Sequence, residues 1–397
     1  AGDWGAAAGA GNDAWRKIMK VRLGDYIQEY TVKNKKEEDI PVYSVTNTQG
    51  FCRDYFGKDV ASKDRSTYKI VPRGYFAYNP SRINVGSVDW QRHEDRVIVS
   101  PLYNVFSVSK ELDKQYLYYY LKSDITLYFI KAIATGSVRD NLKLSMLYEF
   151  PINLPSLEQQ RNIVNQLDKV NSIITTRRQQ LQQLDTLIKA RFVEMFGEPG
   201  TDVKGWGIQP LKKICEINPS KTGNKNLNEG LDVSFVPMPA VTEQGNIDAS
   251  DIRKYQHVKN GFTYFAENDV LFAKITPCME NGKGAVAVGL KNGIGFGSTE
   301  FHVLRPIQGL SNPYWLYMLT AFPSFRKEAE YRMTGSAGQR RVPAMFLQNY
   351  KVAVPPIVLQ DQFAAFVSHV NKSKATIQQS LDTTQLLLDS LMQRYFG

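Results

Sequence analysis

Residues 157–196 read LEQQRNIVNQLDKVNSIITTRRQQLQQLDTLIKARFVEMF, and the apolar residues in this stretch are spaced alternately by three and four positions. This spacing keeps one face of a helix against a partner helix. The same pattern returns in residues 357–396. Each predicted helix of roughly 40 residues is about 60 Å long at 1.5 Å per residue, so it needs a partner along its apolar stripe. The predicted helix-pairing residues are Ile163, Leu167, Val170, Ile174, Leu181, Leu184, Ile188, Phe363, Val367, Val370, Ile377, Leu381, Leu388 and Leu391.

Polar residues interrupt the two apolar stripes at different places. Arg177 interrupts the first stripe where the second has Ile377, and Lys374 interrupts the second where the first has Ile174. Interruptions that differ between the copies favour a specific pairing of the two helices with each other. We therefore expect the helices to pack in antiparallel fashion.

The duplication extends beyond the helices. Thr135-Gly-Ser recurs as Thr334-Gly-Ser, and the closing Phe196-Gly recurs as Phe396-Gly. Solenoid repeats run only about 20 to 50 residues, so a repeat of this length is a duplicated domain. The chain therefore consists of two copies of one unit, each of which ends in a long helix.

Strand-like runs with turn residues between them occur in each half. Tyr68–Val71 and Tyr75–Tyr78 flank the turn Pro72-Arg-Gly, which predicts a β-hairpin. In the second half, Phe262–Phe265 and Val270–Ile275 predict another hairpin. Both halves are therefore expected to be rich in β-structure before their long helices.

Aromatic residues are concentrated in one predicted helix of each half, at Tyr116–Tyr120 and Tyr314–Tyr317. Buried aromatic side chains are a common component of protein cores, so we interpret both segments as helices that face the core. The alternative is a platform on which nucleic-acid bases stack.

These patterns predict an α+β fold with two tandem-duplicated β-rich domains separated by two long antiparallel coiled-coil helices. An Ala- and Gly-rich extension that lies outside the repeat is expected at the start, as a tag, a linker or a poorly determined segment. The predicted bounds are 1–18 for this extension, 19–155 for the first β-rich domain, 156–197 for the first helix, 198–206 for a linker, 207–355 for the second β-rich domain and 356–397 for the second helix.

Composition restricts the class of protein. The net charge is +10 and the pI is near 9.2, which favours a polyanionic partner such as nucleic acid. No apolar run approaches the roughly 20 residues that span a bilayer, so a membrane protein is not expected. The cysteines Cys52, Cys215 and Cys278 are far apart, which predicts neither a zinc site nor a disulfide framework and favours a reducing cytoplasm.

The layout resembles the specificity subunit of type I restriction-modification enzymes. The residues that carry the resemblance are the junctions starting at Pro155-Ser-Leu-Glu-Gln-Gln and Pro355-Pro-Ile-Val-Leu-Gln, followed by the heptad helices that end in Phe-Gly. Asn268-Asp-Val-Leu-Phe-Ala-Lys-Ile-Thr-Pro and the two Thr-Gly-Ser segments add to it. The ordered set of these motifs, occurring twice, covers essentially the whole chain from about residue 20.

The resemblance implies that each β-rich domain is a target-recognition domain that reads one half of a bipartite, gapped site in double-stranded DNA. It also implies that the helices set the spacer and dock two methyltransferase subunits, and that two translocating nuclease subunits can join. S-adenosylmethionine, ATP and Mg are then expected on those partner subunits, with no cofactor and no metal on this chain. The assembled complex would be a DNA adenine methyltransferase, with or without ATP-dependent endonuclease activity.

No motif in the sequence supports catalysis by the chain itself. Asn79-Pro-Ser-Arg and Asn218-Pro-Ser-Lys lack the second proline and the aromatic residue of a methyltransferase clamp around a flipped base. Gly293-Ile-Gly-Phe-Gly aligns with a strand-like segment of the first half, so we interpret it as a strand. The phosphate-binding motif Gly-x-x-x-x-Gly-Lys-Ser/Thr and the nuclease motif Glu-x-Lys do not occur. No catalytic residue is therefore predicted.

DNA contacts are expected from basic side chains that hold phosphates and from polar side chains on loops that read base edges. The arginines after the Thr-Gly-Ser segments are the preferred candidates. The candidate residues are Lys58, Lys63, Arg65, Arg82, Arg92, Arg139 and Lys143 in the first half, and Lys274, Lys283, Arg332, Gln339, Arg340 and Arg341 in the second.

Two other classes of function remain open at this point. A coiled-coil scaffold whose paired β-rich domains bind proteins would also explain the long helices. An enzyme, with nuclease or methyltransferase activity fused to the helices, is disfavoured by the missing motifs. Retention of the protein on a heparin-like column would favour DNA binding over the scaffold.

Overall fold

The computed structural model describes residues 20–53, 64–134, 141–222, 224, 226–336 and 338–397. The predicted extension 1–18 therefore lies outside the described residues. The chain divides into two compact units, which we call the first and the second unit. The first comprises the described residues through Arg177 together with Ser380–Gly397, and the second comprises Arg178–Gln379. Each unit thus contains a β-rich domain and a part of both long helices.

The β-rich part of the first unit contains ten short strands and three α-helices among its described residues. The strands are β1 (Lys20–Arg22), β2 (Ile27–Glu29), β3 (Ser44–Thr46), β4 (Gly50–Cys52), β5 (Lys69–Pro72), β6 (Phe76–Tyr78), β7 (Val88–Trp90), β8 (Arg96–Val99), β9 (Asn104–Val108) and β10 (Pro151–Asn153). The helices are α1 (Lys114–Lys122), α2 (Asp124–Ala134) and α3 (Leu144–Leu147), and the long helix α4 (Leu157–Phe196) follows.

The rest of the chain repeats this order with additional elements. Its strands are β11 (Ile208–Pro210), β12 (Cys215–Ile217), β13 (Asp232–Val236), β14 (Ile252–Lys254), β15 (Thr263–Ala266), β16 (Val270–Ala273), β17 (Gly284–Val286), β18 (Ile294–Gly297), β19 (Phe301–Pro306) and β20 (Lys351–Ala353). Its helices are α5 (Tyr255–Val258), α6 (Pro313–Ala321), α7 (Pro323–Tyr331), α8 (Ala344–Asn349) and the long α9 (Ile357–Phe396).

Each unit is built around an antiparallel four-stranded sheet with the same strand order. The order is β2-β9-β6-β7 in the first unit and β12-β19-β16-β17 in the second. In each unit, the strand that precedes the long helix pairs with the first strand of its half, β10 with β1 and β20 with β11. The second unit also has a sheet of order β14-β13-β18-β15, in which β13 and β18 are parallel. The predicted α+β fold with a tandem duplication is confirmed.

The two predicted hairpins are wrong, although all four of their segments form strands. In the first unit β5 pairs with β8, whereas β6 pairs with β7 and β9. In the second unit β15 pairs with β18, whereas β16 pairs with β17 and β19. The backbone N–H groups of Arg73 and Gly74 in the expected turn donate to carbonyls of Asp95 and Gln91. The turn residues therefore predicted the strand ends correctly. They did not predict the pairing, because these strands pair with strands farther along the chain and not with each other.

The aromatic segments form α1 and α6, which face the core as predicted. The Asp113 side chain caps α1 by accepting hydrogen bonds from the N–H groups of Gln115 and Tyr116, at 2.9 and 3.0 Å. Tyr116 is 1% exposed, and Trp315 in α6 is likewise 1% exposed. Burial of these rings contributes strongly to the core of each unit. The glycine-rich segment is strand β18, as expected.

The long helices pair within each unit. In the first unit, the Tyr395 hydroxyl near the end of α9 donates to Gln166 Oε1 near the start of α4, at 2.8 Å. In the second unit, Lys374 Nζ lies 2.6 Å from Asp185 Oδ1, and Phe363 packs edge-on against Phe196. Contacts in the second unit move forward along α4 as they move backward along α9, so the helices are antiparallel there.

The helix-pairing candidates lie on the inner faces of the helices, and none is fully exposed. Those that are buried are Ile163, Leu167, Val170, Ile174, Ile188, Phe363, Val367, Val370 and Leu381. Those that are half-buried are Leu181, Leu184, Ile377, Leu388 and Leu391. Lys374 interrupts the apolar stripe of α9. Its ammonium group lies against the Asp185 carboxylate of α4, so the two opposite charges form an ion pair between the helices.

Candidate nucleic-acid interface

A loop is anchored to the same end of the four-stranded sheet in both units. In the first unit, the Leu142 N–H donates to the Pro80 carbonyl at 3.1 Å. In the second unit, the Val342 N–H donates to the Lys274 carbonyl at 2.9 Å. Pro80 and Lys274 come just after β6 and β16, which occupy the same place in the two sheets. We call these joined segments the frame: Pro80 with Leu142 in the first unit, and Lys274 with Val342 in the second. The duplication therefore provides the same backbone arrangement twice, with different side chains.

The carbonyl of the anchored residue is also bound in both units. His302 Nε2 lies 2.8 Å from the Val342 carbonyl, which can only accept, so Nε2 carries the proton. His302 Nδ1 then accepts from the Asn218 amide at 3.1 Å. Burial of the ring lowers the pKa of His302, which favours this neutral form. In the first unit, Tyr78 donates its hydroxyl to the Leu142 carbonyl at 3.0 Å instead.

In the second unit, most of the predicted contact residues gather at this frame. Lys274 directly follows β16, and Lys283 directly precedes β17, the neighbouring antiparallel strand. Both are half-buried, and burial lowers the pKa of Lys274. The segment with Gln339, Arg340 and Arg341 leads into the anchored Val342. Arg332 follows the end of α7 and is exposed.

Arg341 sits in the middle of a small β-ribbon. Its backbone bridges to Ile275 on one side and to Thr334 on the other. Its guanidinium binds both carboxylate oxygens of Glu300, with Nε at 2.9 Å and Nη2 at 2.8 Å. Nη1 donates to the Gln339 carbonyl at 3.0 Å. The hydrogen bond from Arg341 lowers the pKa of Glu300, so the carboxylate is ionised at neutral pH.

Arg340 points away from Arg341, although the sequence grouped the two as one basic pair. Its Nη2 lies 3.7 Å from Glu280 and 3.8 Å from Glu330. Neighbouring residues of an extended strand place their side chains on opposite faces. The pair is therefore divided between a face with Lys274 and Glu300 and a face with two carboxylates.

In the first unit, the structure separates the predicted contacts. Arg82 and Lys143 are exposed and lie on the two segments joined by the loop anchor. Arg92 follows β7, which runs antiparallel to β6, so it lies at the opposite end of the sheet. It forms an ion pair with Asp89 at 3.0 Å and stacks over the Trp90 ring at 4.3 Å. A single contact surface that contains Arg82 and Arg92 is therefore not supported.

The remaining candidates of the first half contribute little to the described frame. Arg65 is half-buried, and its carbonyl accepts from the Tyr68 N–H at 3.2 Å. Lys58, Lys63 and Arg139 lie outside the described residues.

A group of cations against aromatic rings was missed by the sequence analysis. Lys114 and Lys122, at the two ends of α1, lie 5.9 Å from the Trp90 ring and 4.8 Å from the Tyr118 ring. Arg92 contacts both rings. Lysines that flank an aromatic helix are the signal that could have found them. Because these cations contact the rings, cation–π packing explains this part of α1 without base stacking.

Other chemical sites are sparse in the part of the chain that the structure describes. Across those residues, no group of three or more His, Cys, Asp or Glu side chains is arranged to hold a metal ion. Cys52, Cys215 and Cys278 are free thiols, and burial raises the pKa of Cys215 to about 12. Among the helices of the described ranges, none combines the length and apolar composition needed to cross a membrane.

A family model matches the chain twice, in agreement with its internal duplication. The model, described as type I restriction modification DNA specificity domain, matches residues 17–186 and 203–383. The specificity subunit of the type I restriction enzyme EcoAI from Escherichia coli is 40% identical over 195 residues, covering 47% of this chain and 32% of that protein. The chain spans about a third of the length of such curated relatives in these matches.

Two solved structures are similar in fold to the whole chain. One, from work on complex assembly and conformational transition of a type I R-M system, matches with a TM-score of 0.55 at 18% identity, covering 95% of this chain and 97% of that chain. The type I S subunit from M. genitalium matches with a TM-score of 0.51 at 14% identity, covering 96% and 97%. At these identities the two matches support the fold alone.

Proposed function

We propose, because this chain belongs to the type I restriction-modification DNA specificity family, that it is the DNA sequence-recognition subunit of such a system. Each β-rich domain reads one half of a bipartite, gapped site in double-stranded DNA. The observation that carries this proposal is the frame at the end of the four-stranded sheet, which recurs in both units with basic side chains beside it. A repeated reader with different side chains is what an asymmetric site requires.

Charge at the frame supports DNA as the ligand. Arg82 and Lys143 in the first unit, and Lys274 and Lys283 in the second, lie on or next to the segments joined by the loop anchors. Their cations can bind phosphates and hold each domain in register, while neighbouring polar groups meet base edges. The net charge of +10 agrees with a polyanionic ligand.

The long helices serve two roles in this proposal. A helix rises about 1.5 Å per residue, so its length sets how many unread base pairs separate the half-sites. The helices also dock two methyltransferase subunits. Exposed apolar side chains on them, Ile173, Leu386 and Leu387, support docking, because water-exposed apolar groups gain free energy when a partner covers them.

Catalysis belongs to the partner subunits in this proposal. S-adenosylmethionine is bound by the methyltransferase subunits, which modify adenine, and ATP and Mg are used where two translocating nuclease subunits join. In this proposal the chain selects the DNA site and does not catalyse the reaction. A cytoplasmic location accords with its three free cysteines.

Methylome sequencing tests the function directly. Cells that carry this chain and its neighbouring methyltransferase are compared with cells that lack only this chain. We expect the loss of one bipartite, gapped methylation motif, whose halves identify the two half-sites. An unchanged methylome in cells where the methyltransferase is otherwise active would contradict the proposal and favour a protein-binding scaffold.

The salt dependence of DNA binding tests the proposed interface. Arg82→Ala with Lys143→Ala should weaken binding of the full chain to duplex DNA and reduce its salt slope by about one per lost phosphate contact. Lys212→Ala with Lys213→Ala removes the same charge from two exposed positions beside the first strands of the second unit. Equal salt slopes of DNA binding for the two double variants would contradict a role of the first unit's frame in DNA binding.

A further inference from the structure

We propose that Arg341 reads a guanine in the half-site of the second unit and that Glu300 is the positioning residue that aims it. This inference rests on the proposed function and adds to it a named base and a named reader.

Within the part of the chain that the structure describes, the contacts of Arg341 leave one edge of its guanidinium free. The group has five N–H bonds, on Nε, Nη1 and Nη2. Glu300 takes the edge formed by Nε and Nη2, at 2.9 and 2.8 Å, and the Gln339 carbonyl takes one N–H of Nη1 at 3.0 Å. One N–H on Nη1 and one on Nη2 remain. Nη1 and Nη2 form the end edge of the guanidinium, and a pair of donors on that edge matches the O6 and N7 acceptors of guanine in the major groove.

The surroundings of Arg341 hold this edge in place. Its backbone is bridged on both sides, to Ile275 and Thr334, and the following Val342 is anchored through its N–H and its carbonyl. The side chain nevertheless keeps 42% of its surface exposed. A reader that is rigid before binding loses less conformational entropy when it meets the base.

The contact with Glu300 orients the Arg341 guanidinium more than it stabilises the fold. Its side chain is 24% exposed, so the ion pair is only partly removed from water. A pair in that environment contributes little to stability, but a two-point contact sets the plane of the guanidinium. Glu300 also remains next to Lys274, which can balance its charge when Arg341 approaches the electron-rich edge of the guanine.

The first unit has a different residue at the position of Arg341. The residue before the anchored Leu142 is Asn141, which is exposed, and the same position before Val342 is Arg341. Asn pairs with adenine rather than guanine when it reads the major groove. The effect of changing Arg341 is therefore expected in one half-site only.

The test measures base preference at every position of the site. Full-length protein is incubated with a library of randomised double-stranded DNA, and the bound fraction is sequenced. Wild-type protein is expected to select two half-sites. Arg341→Lys keeps the positive charge but loses the two-point donor edge. We expect its preference for guanine to fall by about ten-fold or more at one position of one half-site, with the other half-site unchanged.

Two further variants separate reading from folding. Glu300→Gln retains the shape of the side chain but weakens the two-point contact, and it should lower the preference at the same position by a smaller factor. Arg253→Lys is the matched control, because the Arg253 guanidinium makes a similar two-point contact with Asp251 but lies on β14, in the other sheet of the second unit. Its base preferences should equal those of the wild type. Thermal unfolding of each variant identifies any that fail to fold.

The outcomes distinguish this inference from the proposed function. Failure of the wild type to select any sequence would contradict both. A wild-type motif without guanine in either half-site, or an unchanged guanine preference in Arg341→Lys, would overturn only the inference. A uniform loss of preference at all positions in a folded Arg341→Lys protein would mean that Arg341 supports the loop or binds phosphate, and would overturn it as well.

Discussion

Gln160 Oε1 accepts a hydrogen bond from the backbone N–H of Asp113 at 2.7 Å, which ties the start of long helix α4 to the cap of helix α1. The amide nitrogen of Gln160 donates to the carbonyls of Glu111 and Pro155, at 3.0 and 2.9 Å. The residue is 0% exposed. One side chain thus binds three backbone groups and joins the helix to the domain that precedes it.

Gln360 repeats this arrangement in the second unit. Its Oε1 accepts from the Asn312 N–H at 2.9 Å, and its amide nitrogen donates to the carbonyls of Leu310 and Pro355, at 3.1 and 2.8 Å. Asn312 is the cap of α6, as Asp113 is of α1. The glutamine that marks each junction in the sequence is therefore a structural connector.

Replacing Gln360 should loosen the junction that it forms. Gln360→Ala removes a buried side chain and leaves the Asn312 N–H and two carbonyls without their partner, so we expect the free energy of unfolding to fall by about 2 to 3 kcal/mol. Urea unfolding measures this change, and faster hydrogen exchange at the Asn312 amide localises it. Gln159→Ala is the control, because Gln159 is exposed and binds only at the helix cap. Equal effects of the two variants would contradict the prediction.

Asp269 and Arg305 form an ion pair whose carboxylate is buried. Asp269 is 1% exposed and accepts from Arg305 Nε and Nη2, at 2.8 and 2.7 Å, and from the Ala266 N–H. Asp269→Asn should destabilise the second unit by about 2 to 4 kcal/mol, because it leaves a guanidinium without its counter-ion. Asp251→Asn breaks an exposed pair with Arg253 and should cost less than about 1 kcal/mol. Comparable melting temperatures of the two variants would refute this difference.

His302 should make the second unit sensitive to acid. Burial lowers its folded-state pKa below 6.5, so the unfolded state binds a proton more readily. Stability is then complete above about pH 6.5 and declines as pH falls toward the lower folded-state pKa. His302→Asn should flatten the dependence of melting temperature on pH in this range. His257→Asn, at an exposed position, should leave it unchanged, and a wild-type slope in His302→Asn would exclude this role.

The ion pair between Lys374 and Asp185 should set the pairing of the long helices in the second unit. Its side chains are 17% and 34% exposed, and the charged atoms are 2.6 Å apart. Lys374→Glu places two carboxylates together and should destabilise by about 1 to 2 kcal/mol. Adding Asp185→Lys should restore most of the loss, which a double-mutant cycle measures. Additive effects of the two changes would show that these residues do not interact.

Much of the architecture follows from short-range patterns in the sequence. The three-and-four spacing determined which face of α4 and α9 is buried, because a helix brings those positions onto one side. The internal repeat determined that the fold is duplicated. Turn residues such as Pro72 marked where strands end, since their backbone preferences are local.

Only the tertiary structure decided which strands pair and where functional side chains point. β5 and β6 are neighbours in the sequence but belong to different sheets, because pairing depends on surfaces contributed by distant segments. Arg340 and Arg341 are adjacent in the sequence, yet extended backbone sends them to opposite faces. The free edge of Arg341 exists because Glu300, far from it in the chain, occupies the other edge. Local sequence encodes periodicity, whereas the orientation of a side chain such as Arg341 is set by long-range contacts that form only when the chain folds.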